Sequence, residues 1–410
     1  MGLPPRSEGR SGPAPRSEGR SGPADDFAVV GGRVFTGLED LSGDLGVLDE
    51  PAPGVWVVVL PFDEPPVCAR FAVAGLERPS ERGAGGAGGA GGAATSPATR
   101  PWAGPAPGSW TSSLDDLGYA KRVDVIREAI AAGDVYQVNL CRRLSAPVAL
   151  GADLAALGAA LATGNPAPHR ALVWLPAAGV AVASASPERF LRRRGRSVQS
   201  EPIKGTTATG GTFAPKDRAE NVMIVDLVRN DLGRVCEPGS VRVPTLCRPE
   251  PHPGLVHLVS SVRGRLRRGM GWAELLAATF PPGSVTGAPK SAALEIIAGL
   301  EPVGRGVYCG SIGWVDSRRG HGDLNVAIRT FWMANGALHF GTGAAVTWDS
   351  TPVGEWEETE LKARKLLDIA SSPLRGPLGP GSPLRGPLGP GSPLRGPLGP
   401  GSPLRGPLGP

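Results

Sequence analysis

Only six of the chain's 43 basic side chains are lysines, and one of them, Lys204, stands between a Pro-Ile pair and a Gly-Thr turn in SEPIKGT (200–206). An amine there is either a solvated charge at a strand end or a nucleophile placed beside chemistry. An unperturbed lysine is neutral in only about one molecule in a thousand near pH 7.4. The second reading therefore needs burial or nearby positive charge to lower its pKa by about two or three units. Carboxylates form a second group. Glu220 lies in DRAENVMIVDLVRNDL with Ile224 and Leu227 at i+4 and i+7, so a helix carries it on an apolar face. A buried carboxylate is costly unless paired or metal-bound. The alternative is a helix-start glutamate favoured by the macrodipole. In GEWEETELKARKLL, Glu355 and Glu358 are i, i+3 neighbours on one helical face. Glu358 with Lys362 also makes an ordinary i, i+4 surface pair. Two such acids, joined by Glu220, water and a ligand carboxylate, would suit Mg²⁺, which takes oxygen donors and keeps some of its water.

Other segments narrow the chemistry. PPGSVTGAPKSAALEII is a Gly-containing loop running into a helix, and free N–H groups at such a start bind anions. Gly283, Gly287 and Lys290 lack the spacing of a nucleotide P-loop, which is rejected. Arg329 lies in LNVAIRTF, an apolar strand-like run, and needs an anionic partner there, either a structural acid or a ligand carboxylate. His257 in LVHLVSS reads as a satisfied core residue. The five cysteines (68, 141, 236, 247, 309) are scattered without a C-x-x-C pair, which points to free thiols in a reducing cytoplasm.

These residues need a scaffold. VWVVVL (55–60), CARFAVA (68–74), VYQVNL (135–140), ALVWL (171–175), GVAVAS (179–184), SVQSEPI (197–203), GSIGWV, LNVAIRTFWM and ALHFGTG read as strands. Helices are predicted from a Ser113 cap to Gly133 and over about 216–232, 272–280, 290–300 and 353–370, with Tyr119, Val123, Ile126 and Ile130 forming one apolar stripe. Strands in neighbouring runs, without strict βαβ alternation, indicate an α+β fold with antiparallel sheets. PRSEGRSGPA occurs twice within residues 1–24, SPLRGPLGPG repeats through 371–410, and GAGGAGGAGGAA marks 81–109. Their Pro/Gly load predicts disordered tails and a linker. These flank a β-rich part at 25–80 and a main domain at 110–370. The net +5 sits in the ends: four Arg and two Glu in 1–24, four Arg in 371–410, leaving −1 for residues 25–370. A basic groove for nucleic acid has no support. No apolar run is long enough to cross a membrane, and residues 1–24 show no apolar stretch of a secretion signal.

Seven motifs occur in order: SPERF, EPIKGT, DRAENVMIVDLVRNDLGRV, FPPGSVTGAPKSAALEII, RGVYCGSIGWV, LNVAIRTF and EWEETELKA. Together they resemble the chorismate-binding enzymes, a family that includes anthranilate, aminodeoxychorismate, isochorismate and salicylate synthases. The resemblance spans about residues 26–370. It implies two packed antiparallel β-sheets surrounded by helices, with chorismate and Mg²⁺ between them. Carried over position by position, Glu220 and Glu358 match the metal-binding glutamates, with Glu355 nearby. Tyr308 and Arg329 match the residues that hold a substrate carboxylate, Gly205 and Thr206 match a substrate-contacting turn, and Gly343 matches a strand against the substrate. Glu188 in SPERF matches the proton donor.

Two positions discriminate among the chemistries. Members that add water to chorismate resemble one another in placing a Lys base where this chain has Gln137, and an amide cannot take that proton. Anthranilate synthases typically show PIAGT where aminodeoxychorismate synthases, like this chain, show PIKGT. The resemblance therefore implies aminodeoxychorismate synthase component I, with Lys204 as nucleophile and ammonia from a separate glutaminase subunit. The product would feed para-aminobenzoate and folate, or a specialised aminobenzoate metabolite. The alternatives are anthranilate synthase component I and a silent chorismate-binding subunit. Two departures from the family pattern stand out: a short 205–219 segment, and Ala344-Ala345 where relatives keep more glycines.

Overall fold

The β-branched and alternating runs become strands of one long antiparallel system in the computed structural model, which describes residues 26–76, 101–106, 108–149, 151–252 and 255–371. The first half of the chain gives β1 (Phe27–Val30), β2 (Arg33–Ser42), β3 (Val55–Leu60), β4 (Val67–Leu76), the short β5 (Thr111–Ser112), helix α1 (Asp116–Ala132), β6 (Gln137–Pro147) and α2 (Leu154–Gly164). There follow β7 (His169–Leu175), β8 (Val180–Ser186), β9 (Arg189–Arg194), β10 (Ser197–Glu201), β11 (Ile203–Ala208), α3 (Pro215–Gly233), β12 (Arg242–His252) and β13 (Leu255–Arg265). The last part supplies α4 (Trp272–Thr279), the short β14 (Gly287–Ala288), α5 (Lys290–Leu300), β15 (Ser311–Asp316), β16 (His321–Val326), β17 (Thr330–Ala334), β18 (Ala337–Val346) and α6 (Pro352–Ser371).

The expected α+β class is present, and the strands are linked into one continuous ribbon. The order along it is β12–β13–β10–β9–β16–β15–β3–β4–β2–β1–β7–β8–β17–β18–β6, with every pairing antiparallel. Residues from distant parts of the ribbon share a core: Val57–Val59 of β3 and Ile312 of β15 with Val173 of β7 and Val182 of β8. Helices α3 and α4 add Ile224, Leu232, Trp272 and Leu275 to that core. Helices α2 and α6 cover a second core around Leu157, Phe331, Phe340 and Leu366. A third lies between α1, α5 and β6, where Tyr119, Val123 and Ile126 are buried as their spacing required.

Several local expectations are corrected. The cap of α1 is Asp115, whose carboxylate accepts the Gly118 N–H at 2.7 Å, whereas Ser113 Oγ accepts from Arg143 N at 2.9 Å. SVQSEPI divides at Pro202, which has no N–H for a ladder, into β10 and β11. Arg329 is outside any strand: the run LNVAIRTFWM breaks into β16 and β17, and Arg329 sits in the gap with φ 53°. The terminal repeats and residues 81–100 of the expected linker lie outside the described residues. The end of that linker is packed, with Trp102 buried and its indole donating to Ala370 O of α6 at 2.6 Å. The β-rich 25–80 part is continuous with the rest, because β1 pairs with β7 and β3 with β15. No helix among the described residues is long and apolar enough to cross a membrane.

Candidate active site

Lys204 has its backbone fixed by a buried side chain. It lies in β11, and Asn221 of α3, itself buried, donates from Nδ2 to Lys204 O at 3.4 Å and to Leu258 O at 3.0 Å. Ser260 Oγ in turn donates to Asn221 Oδ1 at 2.5 Å. The next residue, Gly205, takes φ +83°, and a Cβ there would stand 2.8 Å from Asp217 Cβ. A glycine is required where the strand passes the first turn of α3. Thr206 is exposed, and its hydroxyl is hydrogen-bonded to the buried His257 at 2.8 Å, so His257 is the satisfied core residue its setting predicted.

Burial lowers the pKa of Lys204, with Lys362 adding to the shift while Glu220, Glu188 and Glu358 oppose it. One electrostatic environment thus joins β11, α3, α6 and the start of β9. Arg329 is not among the groups that act on the amine; the contributing cation is Lys362. Its Nζ bonds Glu358 Oε1 at 2.7 Å and donates to Gly343 O of β18 at 3.0 Å. The i, i+4 pair read as ordinary is therefore real, and also fastens α6 to the strand that carries Gly343.

Glu188 is the most perturbed acid. Burial pushes its pKa up to about 7, against hydrogen bonds from Ser284 and the Ile203 backbone and the charge of Lys204. Ser284 comes from the FPPGSVTGAP loop, so that loop contributes a hydroxyl to an acid. Its Lys290 is spent elsewhere, on Asp231 Oδ2 at 2.6 Å and on the Thr279 and Pro281 carbonyls, both at 2.9 Å. Glu188 also borders a cavity of about 20 Å³, room for about one water.

The three glutamates differ. Burial, and then Glu358 among the opposing charges, raises Glu220. Glu358 ends below its ordinary value, because Lys362, Lys204 and Lys216 outweigh the cost of burial. Glu355 is buried and raised; Ser350 Oγ donates to its Oε1 at 2.6 Å, and its Oε2 has no partner. Among the described residues, no three His, Cys, Asp or Glu side chains converge as a ready-made metal cage. An orphaned buried carboxylate oxygen of Glu355, with Glu358 near it and Glu220 in turn near Glu358, nevertheless fits a cation whose shell a ligand must complete.

A second cluster carries open hydrogen-bonding capacity. The segments holding Tyr308 and Arg329 run side by side, joined by Cys309 N to Ala327 O at 3.1 Å and Ala327 N to Gly310 O at 2.8 Å. Among the described residues nothing pairs with the Arg329 guanidinium, whose pKa burial lowers. The structural acid that could have explained it is absent there. The Tyr308 ring rests on Gly341, where a Cβ would lie 2.1 Å away. Gly343 has a structural reason of its own, since a Cβ would stand 2.7 Å from both Cys141 Sγ and Leu140 O. Gln137, at the start of β6, is fully buried with neither amide atom bonded. Such an amide costs about 1–3 kcal/mol unless something fills it.

The sequence reading did not single out Lys362 as a site group, nor Lys216, Ser284, Asn221 or Gly341. Each lies within a quoted motif or one to four residues from a named position, and proximity in the fold alone identifies them.

The fold is one of antiparallel ladders ringed by helices, and it carries two clusters: a buried amine among glutamates, and an arginine with no partner among the described residues. Residues 87–368 match the family model described as chorismate binding enzyme, and the chain belongs to that family. Among curated proteins it is similar to anthranilate synthase component 1 of Streptomyces coelicolor, 43% identical over 270 residues, covering 63% of this chain and 52% of that one. It is also similar to aminodeoxychorismate synthase component 1 of Klebsiella aerogenes, 42% identical over 271 residues, covering 63% and 59%. The chain thus spans between half and three fifths of the length of these relatives. Among solved structures, anthranilate synthase component I from Streptococcus pneumoniae superposes with a TM-score of 0.61 at 25% identity, over 86% of this chain and 82% of that one. MenF, the menaquinone-specific isochorismate synthase of Escherichia coli, shares the fold at a TM-score of 0.67 and 18% identity, over 84% and 88%.

Proposed function

We propose that the protein is an aminodeoxychorismate synthase component I, converting chorismate and ammonia to 4-amino-4-deoxychorismate. The observation that carries this reading is Lys204: a lysine with lowered pKa, gripped at its backbone, beside an acid whose pKa is near 7. Chorismate presents a carboxylate to Arg329 and Tyr308, and the unfilled amide of Gln137 supplies further hydrogen bonds. Neutral Lys204 attacks C2 of the ring, Glu188 gives its proton to the departing C4 hydroxyl, and the ring double bond shifts as water leaves. Ammonia then forms the bond to C4 and the C2–N bond breaks, which returns Lys204 as the free amine. Glu188 regains its proton from solvent. Gln137 cannot act as a base towards water, so hydration of the ring is disfavoured.

Glu220 and Glu358 would hold Mg²⁺ with the ring carboxylate, Glu355 standing near, and the ion would neutralise that carboxylate and draw electrons from the ring. The names of the relatives as component 1 support a separate partner, a glutaminase subunit that supplies ammonia. All five cysteines of this chain are buried, none in a setting for thiol chemistry on glutamine.

Anthranilate synthase component I is the competing reading, and near-equal identity to relatives of both names keeps it in view. Product analysis with chorismate, Mg²⁺ and ammonium separates the two. The proposal expects 4-amino-4-deoxychorismate from the wild type and none from Lys204→Ala; anthranilate from both proteins would overturn it.

A further inference from the structure

The near-neutral net charge of residues 25–370 conceals a local excess. A cleft of about 490 Å³ is lined by Arg33, Arg170, Arg189, Arg192, Arg193 and Arg194, with Asp323 as its one acid. Sheet register builds its floor: Trp314 of β15 lies opposite Asp323 of β16, which lies opposite Arg192 of β9, so all three share one face. The turn between β1 and β2 brings Arg33 over that floor, its guanidinium 4.1 Å from the Trp314 ring centroid, and the start of β7 brings Arg170 to the other wall.

The charges do not cancel within the cleft. Arg189 is held by Glu201 and by Asp323 at 2.9 Å, and Arg193 has Asp49 at 3.8 Å with its buried Nη1 unbonded. Setting Arg170 aside, the other five arginines against Asp323, Glu201 and Asp49 still leave two positive charges over. Arginines gathered at this density repel unless an anion joins them, and their planar forks match phosphate and carboxylate oxygens in pairs. The volume is that of a small-molecule site. We propose that this cleft is a second ligand site, separate from that around Lys204, for a small metabolite bearing two or more phosphate or carboxylate charges.

The test is calorimetric titration of the whole protein with pyrophosphate and with citrate, at 150 mM NaCl. The two arms tell phosphate from carboxylate selection. Binding at one site is expected for at least one probe, weakened about tenfold or more by Arg192→Ala and by Arg33→Ala, a loss matching one charge-assisted bond. Arg192→Lys, which keeps the charge and the fold but loses the fork, is expected to bind several-fold more weakly. Arg329→Ala is expected to leave binding unchanged; loss there would place the anion in the catalytic site and overturn the proposal. It also falls if neither probe binds below millimolar concentration, if the cleft variants bind like wild type, or if heparin binds tenfold tighter than both probes, the mark of a macromolecular surface.

Discussion

Glu188, the proposed proton donor, would tie function to stability through one titrating group. Its pKa of about 7 in the folded protein lies above the ordinary value of 4.5, so the folded state holds the proton more tightly than the unfolded chain. The stability this contributes is complete below the unfolded pKa and is lost as pH rises through about 7. Glu188→Gln removes that loss. Relative to wild type it is expected to gain on the order of 3 kcal/mol between pH 4.5 and pH 8 by urea unfolding, while activity falls about 10²–10⁴-fold. A variant equally affected at both pH values would show that the acid is not perturbed. The wild-type reaction needs Glu188 protonated and Lys204 neutral, so the pH–rate profile is expected to be bell-shaped with one limb near pH 7 set by Glu188. The lysine was conspicuous in the sequence for its rarity and its Gly-Thr neighbour. Lys362 was not, because its i, i+4 spacing to Glu358 looks the same whether the pair faces solvent or a site.

At the scale of elements, two contacts decide whether the site is held. Lys290, at the start of α5, reaches Asp231 on α3 and two carbonyls at the end of α4. Lys290→Met leaves Asp231 buried without its partner and is expected to cost about 3–5 kcal/mol in thermal or urea unfolding. A change below about 1 kcal/mol would mean that water replaces the amine. Gly341→Ala would drive a methyl into the Tyr308 ring; displacement of Tyr308 is expected to raise KM for chorismate and cost about 1–3 kcal/mol of stability. An unchanged KM would remove Tyr308 from substrate binding. The strands with strong alternation were legible, as was α5 to the residue. Helix α2 was missed because LAALGAALATG has no polar face to mark a period, and its Gly158 packs at close range to Leu172. LVHLVSS of β13 read as strand-like, but its partner β12 was missed because Pro244, Pro249 and Pro251 argue against a strand, although here they sit in the ribbon's outermost one. The break at Arg329 had no sequence signal, since only the fold imposes a positive φ on that residue.

For the whole molecule, the ribbon makes the first four strands inseparable from the rest. Deleting residues 26–76 would strip β1 from β7 and β3 from β15 and open the shared core. Such a protein is expected to give no cooperative thermal transition by circular dichroism, and a sharp, active, two-state unit from residues 101–371 alone would contradict the single-ribbon account. The order of motifs announced the family from sequence, whereas the gathering of Lys204 on β11, Glu220 on α3 and Glu358 and Lys362 on α6 depends on contacts between elements far apart in the chain. The central claim, that Lys204 captures the ring, is tested most directly by the intact mass of the protein mixed with chorismate and Mg²⁺ without ammonia. The account expects an added mass of chorismate less one water, mapped to Lys204 and absent from Lys204→Ala. No adduct, together with anthranilate formation once ammonia is added, would contradict it.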